Sequence, residues 1–212
     1  KKGLSITKNN SEIYNALGSA YYNIKNNEQA LISFKKSIEF NKKNLLPYKN
    51  LGILYYQLNK FEYSIEYLQK FFDKSNTIER DLILIISNSY MKINDIDSAI
   101  NCLKKGLEVY EHDIKLLTEI ASLYFKNKDY ENSIKIYIKT TKLVPNYAIG
   151  FNGIGMAYNE MNNTRDALIN FDKALEINPN FFDSLVNIGN CLQKVEAYKE
   201  AINFYERALK IN

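Results

Sequence analysis

Apolar and small side chains recur along the chain with a period of 34 residues, extended once to 35. The first position of each repeat falls at Ser11, Leu45, Arg80, Ile114, Ala148 and Phe182. Within every repeat, positions 4, 7, 8 and 11 share one face at helical spacing, and positions 17, 20, 21, 24, 27 and 28 share a second. The pattern therefore predicts two helices per repeat, each about 14 residues and ~20 Å long.

Two repeat positions are kept small, and one position near the middle of each repeat favours a turn. Position 8 is occupied by Gly18, Gly52, Ser87, Ala121, Gly155 and Gly189, and position 20 by Ala or Ser. Small residues at both positions let the two helices of a repeat approach closely. Asn59, Asn94 and Asn162 mark a break near positions 15 and 16, since Asn tolerates a left-handed backbone. One such helix pair cannot bury its apolar face alone, so the pairs are expected to stack.

The repeat resembles the tetratricopeptide repeat family, whose 34-residue pattern combines an aromatic residue, Leu-Gly, Tyr, Ala, Phe and Pro. The likeness rests on the small position 8 and on bulky residues at positions 11 and 24. These are Tyr21, Tyr55, Tyr90, Tyr124, Tyr158 and Leu192, then Phe34, Leu68, Leu103, Tyr137, Phe171 and Tyr205. The sequence departs from the pattern where Leu or Ile replaces the first aromatic residue and where Pro is absent from repeats 1 to 3. The resemblance implies an all-α fold, a right-handed α-solenoid of antiparallel helix pairs whose first helices line a concave groove.

The domain prediction is a solenoid over residues 11–212, preceded by a remnant. The six repeats are predicted at 11–44, 45–79, 80–113, 114–147, 148–181 and 182–212. Residues 1–10 parallel the end of a repeat, which suggests a second helix left from a preceding unit. Since no polar capping helix precedes Asn212, we expect the chain to be part of a longer protein. Phe71 is bulky where position 27 is usually small, so we expect altered helix packing between repeats 2 and 3.

The composition narrows the remaining classes of protein. Eight glycines and three prolines are too few for a β-sandwich or barrel. One histidine and two cysteines exclude a disulfide framework and a metal site with several His or Cys ligands, and we expect no cofactor. The longest apolar run, residues 82–86, is far short of a membrane span, and we expect a cytoplasmic chain without a membrane partner.

Charge is mild overall but uneven along the chain. The formal net charge is +4, while residues 1–74 contain 12 lysines and 6 acidic residues, a net +6. A nucleic-acid-binding protein usually shows a concentrated basic stripe. Here the lysines are diluted with Asn, Tyr and Ile, so no nucleic-acid partner is expected.

Catalytic chemistry finds little support in the sequence. His112 falls in a predicted loop, and Cys191 occupies a small packing position. Cys102 lies in a second helix without a visible base partner. Gly153 and Gly155 lie within a helix pattern and do not form a phosphate-binding loop after a strand. We therefore expect no catalytic residue and no enzymatic activity in this chain.

A binding face is the stronger hypothesis, and the family resemblance implies that it comprises positions 2, 5, 9, 12 and 13 of the first helices, which fall on one helix face. In repeats 2 to 4 the candidate residues are Leu46, Lys49, Ile53, Tyr56, Leu84, Asn88, Met91, Lys92, Lys115 and Lys126. Leu46, Ile53, Leu84 and Met91 are apolar where a solvated face would be polar, as is common at interaction sites. Tyr56 also fits a structural role, because position 12 is often aromatic in this family. The lysines favour an acidic or carboxylate-bearing ligand.

Repeats 5 and 6 offer amides instead. The candidates there are Asn152, Met156, Asn187 and Asn190. Amides can donate to and accept from an extended peptide backbone. The run 186–190 is similar to the asparagine-ladder repeats of O-linked N-acetylglucosamine transferases, although position 6 is Asn only at Asn50 and Asn187. The chain contains 28 asparagines, which favours codon bias as the source of these amides.

Three functions follow as hypotheses. The first is a non-catalytic scaffold that binds a peptide or helix of another protein in its groove. The second is a substrate-recognition arm of a larger enzyme such as an O-linked glycosyltransferase. The third is self-association, because Ile202 and Leu209 are apolar positions on the last helix. No three consecutive repeats supply the Lys, Asn and Arg set with which chaperone-binding members clamp a terminal carboxylate, so that type of cochaperone is not expected.

Overall fold

The computed structural model describes residues 2–75 and 77–211, with side chains from residue 10 onward. This part of the chain contains twelve α-helices and no strand, which confirms the predicted all-α fold. The helices of repeats 1 to 3 are α1 (Lys2–Asn23), α2 (Asn27–Phe40), α3 (Leu46–Gln57), α4 (Phe61–Phe72), α5 (Arg80–Lys92) and α6 (Ile96–Val109). Those of repeats 4 to 6 are α7 (Ile114–Lys126), α8 (Tyr130–Leu143), α9 (Ala148–Glu160), α10 (Thr164–Ile177), α11 (Phe182–Lys194) and α12 (Tyr198–Leu209).

The helices form two compact units, one comprising α1–α6 and the other α7–α12. Within each unit, the first helix of a repeat packs against its own second helix, and that second helix packs against the next first helix. Successive first helices also contact one another, as α1 contacts α3 and α9 contacts α11. Each unit is therefore a stack of helix pairs, the arrangement expected of an α-solenoid.

The turn inside each repeat uses one left-handed residue at position 15. These residues are Lys25, Asn59, Asn94, Lys128, Asn162 and Glu196, with φ between 56° and 63°. In repeat 2 the Asn59 amide donates to the Tyr56 carbonyl (3.0 Å), and the Lys60 amide donates to the Tyr55 carbonyl (2.9 Å). Both bonds satisfy carbonyl groups at the end of α3, as in a Schellman motif. The predicted break is confirmed at all three asparagines.

Close approach of the paired helices depends on the small positions 8 and 20. The Ser64 hydroxyl on α4 donates to the Gly52 carbonyl on α3 at 2.8 Å, and Ser133 donates to the Ala121 carbonyl at 2.8 Å. A Cβ added at Gly155 would lie 2.6 Å from the ring of Phe171, which is fully buried. Glycine at position 8 therefore makes room for the large residue at position 24.

Two local predictions concern the start of the chain and the junction of repeats 2 and 3. Helix α1 runs from Lys2 through residue 10 to Asn23, and the side chains of residues 1–9 lie outside the described residues, so the proposed remnant stays a prediction. Phe71 is buried and packs edge-on against Phe72 with ring centroids 5.6 Å apart. The altered packing between repeats 2 and 3 also stays a prediction.

Candidate functional site

The first-helix face of α3 and α5 presents most of the candidate residues of repeats 2 and 3. Leu46 is 55% exposed, and Ile53, Asn88 and Met91 are half-buried. Lys92 is exposed near the end of α5. This face thus combines partly accessible apolar side chains with an exposed cation near the end of α5.

The Tyr56 side chain is positioned by a contact within its own repeat. Its ring packs at a steep angle against Phe61 on α4, with centroids 6.0 Å apart. The same pair of repeat positions brings Phe125 and Tyr130 to 5.5 Å in repeat 4. Tyr56 is half-buried, so the ring supports the turn of its repeat while part of its surface stays accessible.

The structure corrects the expectation for position 5, which is directed at the neighbouring repeat and not at solvent. Leu84 is only 7% exposed and so does not belong to an exposed apolar patch. Lys49 forms an ion pair with Glu79, just before α5. Its charge is therefore already compensated, and it contributes less to an acidic ligand's site than the sequence suggested.

The amides of repeats 5 and 6 are similarly engaged within the protein. Asn152 is buried, and its Oδ1 accepts hydrogen bonds from the Ser184 hydroxyl (2.9 Å) and the Asn187 amide (3.1 Å). Asn190 Oδ1 accepts from the Tyr205 hydroxyl at 2.8 Å. The expectation that Asn152 faces a ligand is wrong, because its carbonyl oxygen is used between α9 and α11. Asn187 and Asn190 lie nearer the surface, with Asn190 exposed.

A line of polar contacts between successive first helices, here called the first-helix seam, was missed from the sequence. In unit 1, Asn50 donates to Asn15 Oδ1 at 3.0 Å, the same pair of repeat positions as Asn187 and Asn152. Two turns further along the helices, Lys194 donates to Asn159 Oδ1 at 3.0 Å, and Gln57 donates to the Tyr22 hydroxyl. The only feature of the sequence that could have indicated this seam was the recurrence of Asn at position 6, because Asn50 and Asn187 each bond to an Asn 35 residues earlier.

The candidate residues that remain accessible in unit 2 are spread over three first helices. Lys115 and Lys126 are exposed on α7, and Met156 is half-buried on α9. Ile149, at position 2 of repeat 5, is 47% exposed and was not among the predicted residues. It occupies the same repeat position as Leu46, so position 2 supplies an exposed apolar side chain in each unit.

The cysteines and the histidine show no sign of activation. Burial raises the pKa of the Cys102 thiol to about 12 and also raises that of Cys191, so both remain protonated at neutral pH. His112 is exposed, with Nδ1 3.9 Å from a Glu111 carboxylate oxygen. Among the described residues, no cluster of three or more His, Cys, Asp or Glu side chains could hold a metal ion. Within the same residues, no helix combines the length and apolarity needed to span a bilayer.

The last helix exposes positions that inner repeats bury. Ile202 at position 21 is 55% exposed, whereas Ile134 at the same position on α8 is buried. Leu209 at position 28 is 74% exposed, whereas Leu175 on α10 packs in the core against α11. The outer face of α12 therefore has the apolar character of a repeat-stacking surface.

Comparisons with known proteins agree with this architecture. Models of the tetratricopeptide repeat match residues 11–44, 81–113, 114–147, 148–181 and 182–212. Stress-induced-phosphoprotein 1 of Caenorhabditis elegans is 22% identical over 188 residues, which is 74% of this chain and 59% of that protein. Anaphase-promoting complex subunit CDC16 of Saccharomyces cerevisiae is 26% identical over 102 residues, which is 45% of this chain and 12% of that protein. The chain thus spans less than two thirds of the length of either curated relative.

Solved structures share the fold at low sequence identity. YrrB, described as a TPR protein with an unusual peptide-binding site, superposes with a TM-score of 0.70 and 19% identity, covering 81% of this chain and 88% of that one. A MamA crystal structure gives a TM-score of 0.72 and 22% identity, covering 81% and 93% of the two chains.

Proposed function

The chain belongs to the tetratricopeptide repeat family, a family of protein-interaction scaffolds, and on that premise we propose that its first-helix face binds a peptide or helix of another protein. The observation that carries the proposal is the combination, on α3 and α5, of accessible Leu46, Ile53 and Met91 with exposed Lys92. Ile53 also packs in part against the core cluster that contains Tyr48 and Leu82, whereas Leu46 is 55% exposed, and an exposed apolar side chain is typical of an interaction site. Their ligand is an amphipathic segment with acidic residues.

The proposal is of a non-catalytic scaffold in the cytoplasm. Two protonated, unpaired cysteines support a reducing compartment and argue against a thiolate nucleophile. The solved structure of YrrB supports the scaffold proposal by analogy, because YrrB shares the fold and is a TPR protein with a peptide-binding site.

The test is selection of ligands from a random-peptide display library, followed by fluorescence anisotropy with the enriched peptides. Leu46→Glu places a charge in the apolar face at a position that is 55% exposed, and it is expected to weaken binding at least tenfold, about 1.4 kcal/mol. Ile169→Glu, at an exposed position on the second helix α10, is the matched control and should leave affinity unchanged. Leu84 is unsuitable for this test because it is buried, and a charge there would destabilise the fold. Equal affinity of both variants, or failure to enrich any peptide, contradicts the proposal.

A second candidate function, self-association, is favoured by the exposed apolar face of α12. Stacking of repeats buries positions 21 and 28, and α12 presents Ile202 and Leu209 there. Sedimentation velocity over a range of concentrations should show association that Ile202→Lys/Leu209→Lys abolishes and Ile169→Lys does not. A monomer at every concentration contradicts this second function.

A further inference from the structure

The second helices α2 and α4 border an open surface cleft of about 640 Å³ whose rim is formed by lysines. Lys35 and Lys42 border it from the side of α2, and Lys70 and Lys74 from the side of α4. Tyr48 and Tyr67 line it between them, together with Ile38. We call this set of residues the lysine cleft. Because its residues come mainly from second helices, the lysine cleft is separate from the first-helix face described above.

Three of the four lysine ammonium groups, those of Lys35, Lys70 and Lys74, are held over aromatic rings. Lys74 Nζ lies 4.7 Å from the centroid of the Tyr48 ring, and Lys70 Nζ lies 5.4 Å from that of Tyr67. Lys35 Nζ lies 5.9 Å from the Tyr55 ring, and its hydrogen bond to Tyr55 raises its pKa. Cation–π contacts leave the charge of the ammonium intact while they limit its positions. The cleft therefore presents cations that are partly ordered before any ligand arrives.

The positive charge of the cleft is only partly compensated. Lys70 pairs with Glu66 one helical turn away, and Glu39 is the acidic residue of the lining. Among the described residues, Lys42 and Lys74 have no carboxylate within ion-pair distance. The cleft lies within the segment 1–74, which has a net charge of +6. An excess of cations at a concave surface attracts an anionic partner.

The lining favours a protein segment over a nucleic acid. Tyr48 is buried with Lys74 above its ring, and Tyr67 stacks on Tyr55 at 5.5 Å, so the faces on which a base would stack are occupied. No arginine precedes Arg80 in the sequence, although arginine is the side chain best suited to phosphate and base edges. Apolar side chains of a peptide can instead contact Ile38 and the tyrosine edges while its carboxylates reach the lysines.

We propose that the lysine cleft is a docking site for an acidic, amphipathic segment of another protein, in which carboxylates alternate with apolar side chains. The carboxylates pair with Lys42 and Lys74, and the apolar side chains cover Ile38 and Tyr67. This site is independent of the first-helix face, so one unit of the scaffold has two surfaces for partners.

The experiment uses the whole chain and three fluorescent probes of equal length. One peptide alternates Glu with Leu, a second alternates Gln with Leu, and the third probe is a single-stranded RNA oligonucleotide. The Lys42→Gln/Lys74→Gln variant removes two charges from the cleft. The matched control, Lys139→Gln/Lys142→Gln, removes two charges from exposed positions in the C-terminal half of α8. Circular dichroism confirms that both variants remain helical.

The Glu-Leu peptide is expected to bind the native chain and the control variant equally, and the Lys42→Gln/Lys74→Gln variant about tenfold more weakly. Its affinity should fall with added salt, and the Gln-Leu peptide should not bind. Because the first-helix face is also proposed to bind acidic amphipathic segments, the comparison is repeated in a Met91→Glu background, which places a charge in that face. The two double variants should still differ about tenfold there, which separates a failure here from a failure of the first-helix proposal. Equal binding by the two double variants, or binding of the RNA in preference to the peptide, overturns the proposal.

Discussion

The left-handed residue at position 15 shows how a single residue determines the turn of each repeat. Asn occupies the position in repeats 2, 3 and 5, whereas Lys25, Lys128 and Glu196 adopt the same conformation in the others. A left-handed conformation costs an ordinary L-residue roughly 1–2 kcal/mol, and Asn tolerates it better. Half of the turns are therefore formed against local preference, because the packing of the two helices requires them.

Lys128→Asn should consequently stabilise the protein, by about 0.5 kcal/mol. Denaturant unfolding followed by circular dichroism measures the effect. Lys139→Asn, at an exposed position inside α8, is the control and should be destabilising, since Asn is a poorer helix former than Lys. A lower midpoint for Lys128→Asn would show that its turn has no left-handed strain to relieve.

At position 8, packing instead selects the residue type, because glycine is required there despite its poor helix propensity. Gly155→Ala should lower the free energy of unfolding by about 1–3 kcal/mol, even though Ala favours helix, since its Cβ would overlap Phe171. The penalty should shrink when Phe171→Leu is also present, because repeat 3 already combines Ser87 with Leu103. A double-mutant cycle without coupling would refute this account.

At the scale of the helix, the residue at position 16 caps the start of the second helix in four of the six repeats. The side chains of Asn26, Asp95, Asp129 and Asn163 each accept a hydrogen bond from the backbone amide three residues later. Ala197 has no side-chain oxygen for this role, so α12 begins without a side-chain cap. Lys60 likewise provides no side-chain cap for α4, so α4 and α12 are two second helices with this correctable defect.

Ala197→Asp should therefore stabilise α12 by about 1 kcal/mol. Asp129→Ala, the reverse change at the same repeat position, should destabilise α8 by a similar amount. Thermal unfolding of the two variants gives the comparison. If Ala197→Asp leaves the melting temperature unchanged or lowers it, the capping explanation fails.

The helices were predictable from the sequence, but the roles of residues on the first helices were predictable only in part. Spacing along one helix identifies a face that includes Ile53, Met91, Leu84 and Asn152 together. This spacing does not determine how one repeat is rotated relative to the next, and that rotation decides whether a position is exposed to solvent or contacts the neighbouring helix. The sequence therefore predicted position 5 as a binding position, whereas Asn152, at position 5 of repeat 5, is part of the first-helix seam.

At the scale of the whole molecule, apolar side chains and charge are distributed unevenly over the repeats. The apolar first-helix face is concentrated on α3 and α5, and the lysine cleft lies on α2 and α4 of the same unit. The six repeats share one fold, so partner recognition depends on substitutions at accessible positions, not on changes in architecture. The segment 1–74 was visibly basic from its sequence, but only the packed tyrosines show where its lysines converge.

The central claim, that the first helices carry the binding face, is tested most directly by hydrogen–deuterium exchange. The chain is measured alone and saturated with a peptide from the library selection whose affinity is unchanged by Lys42→Gln/Lys74→Gln, so that binding at the lysine cleft is excluded. The account predicts added protection on α3 and α5, with α2 and α4 unchanged. Protection confined to the second helices would contradict it.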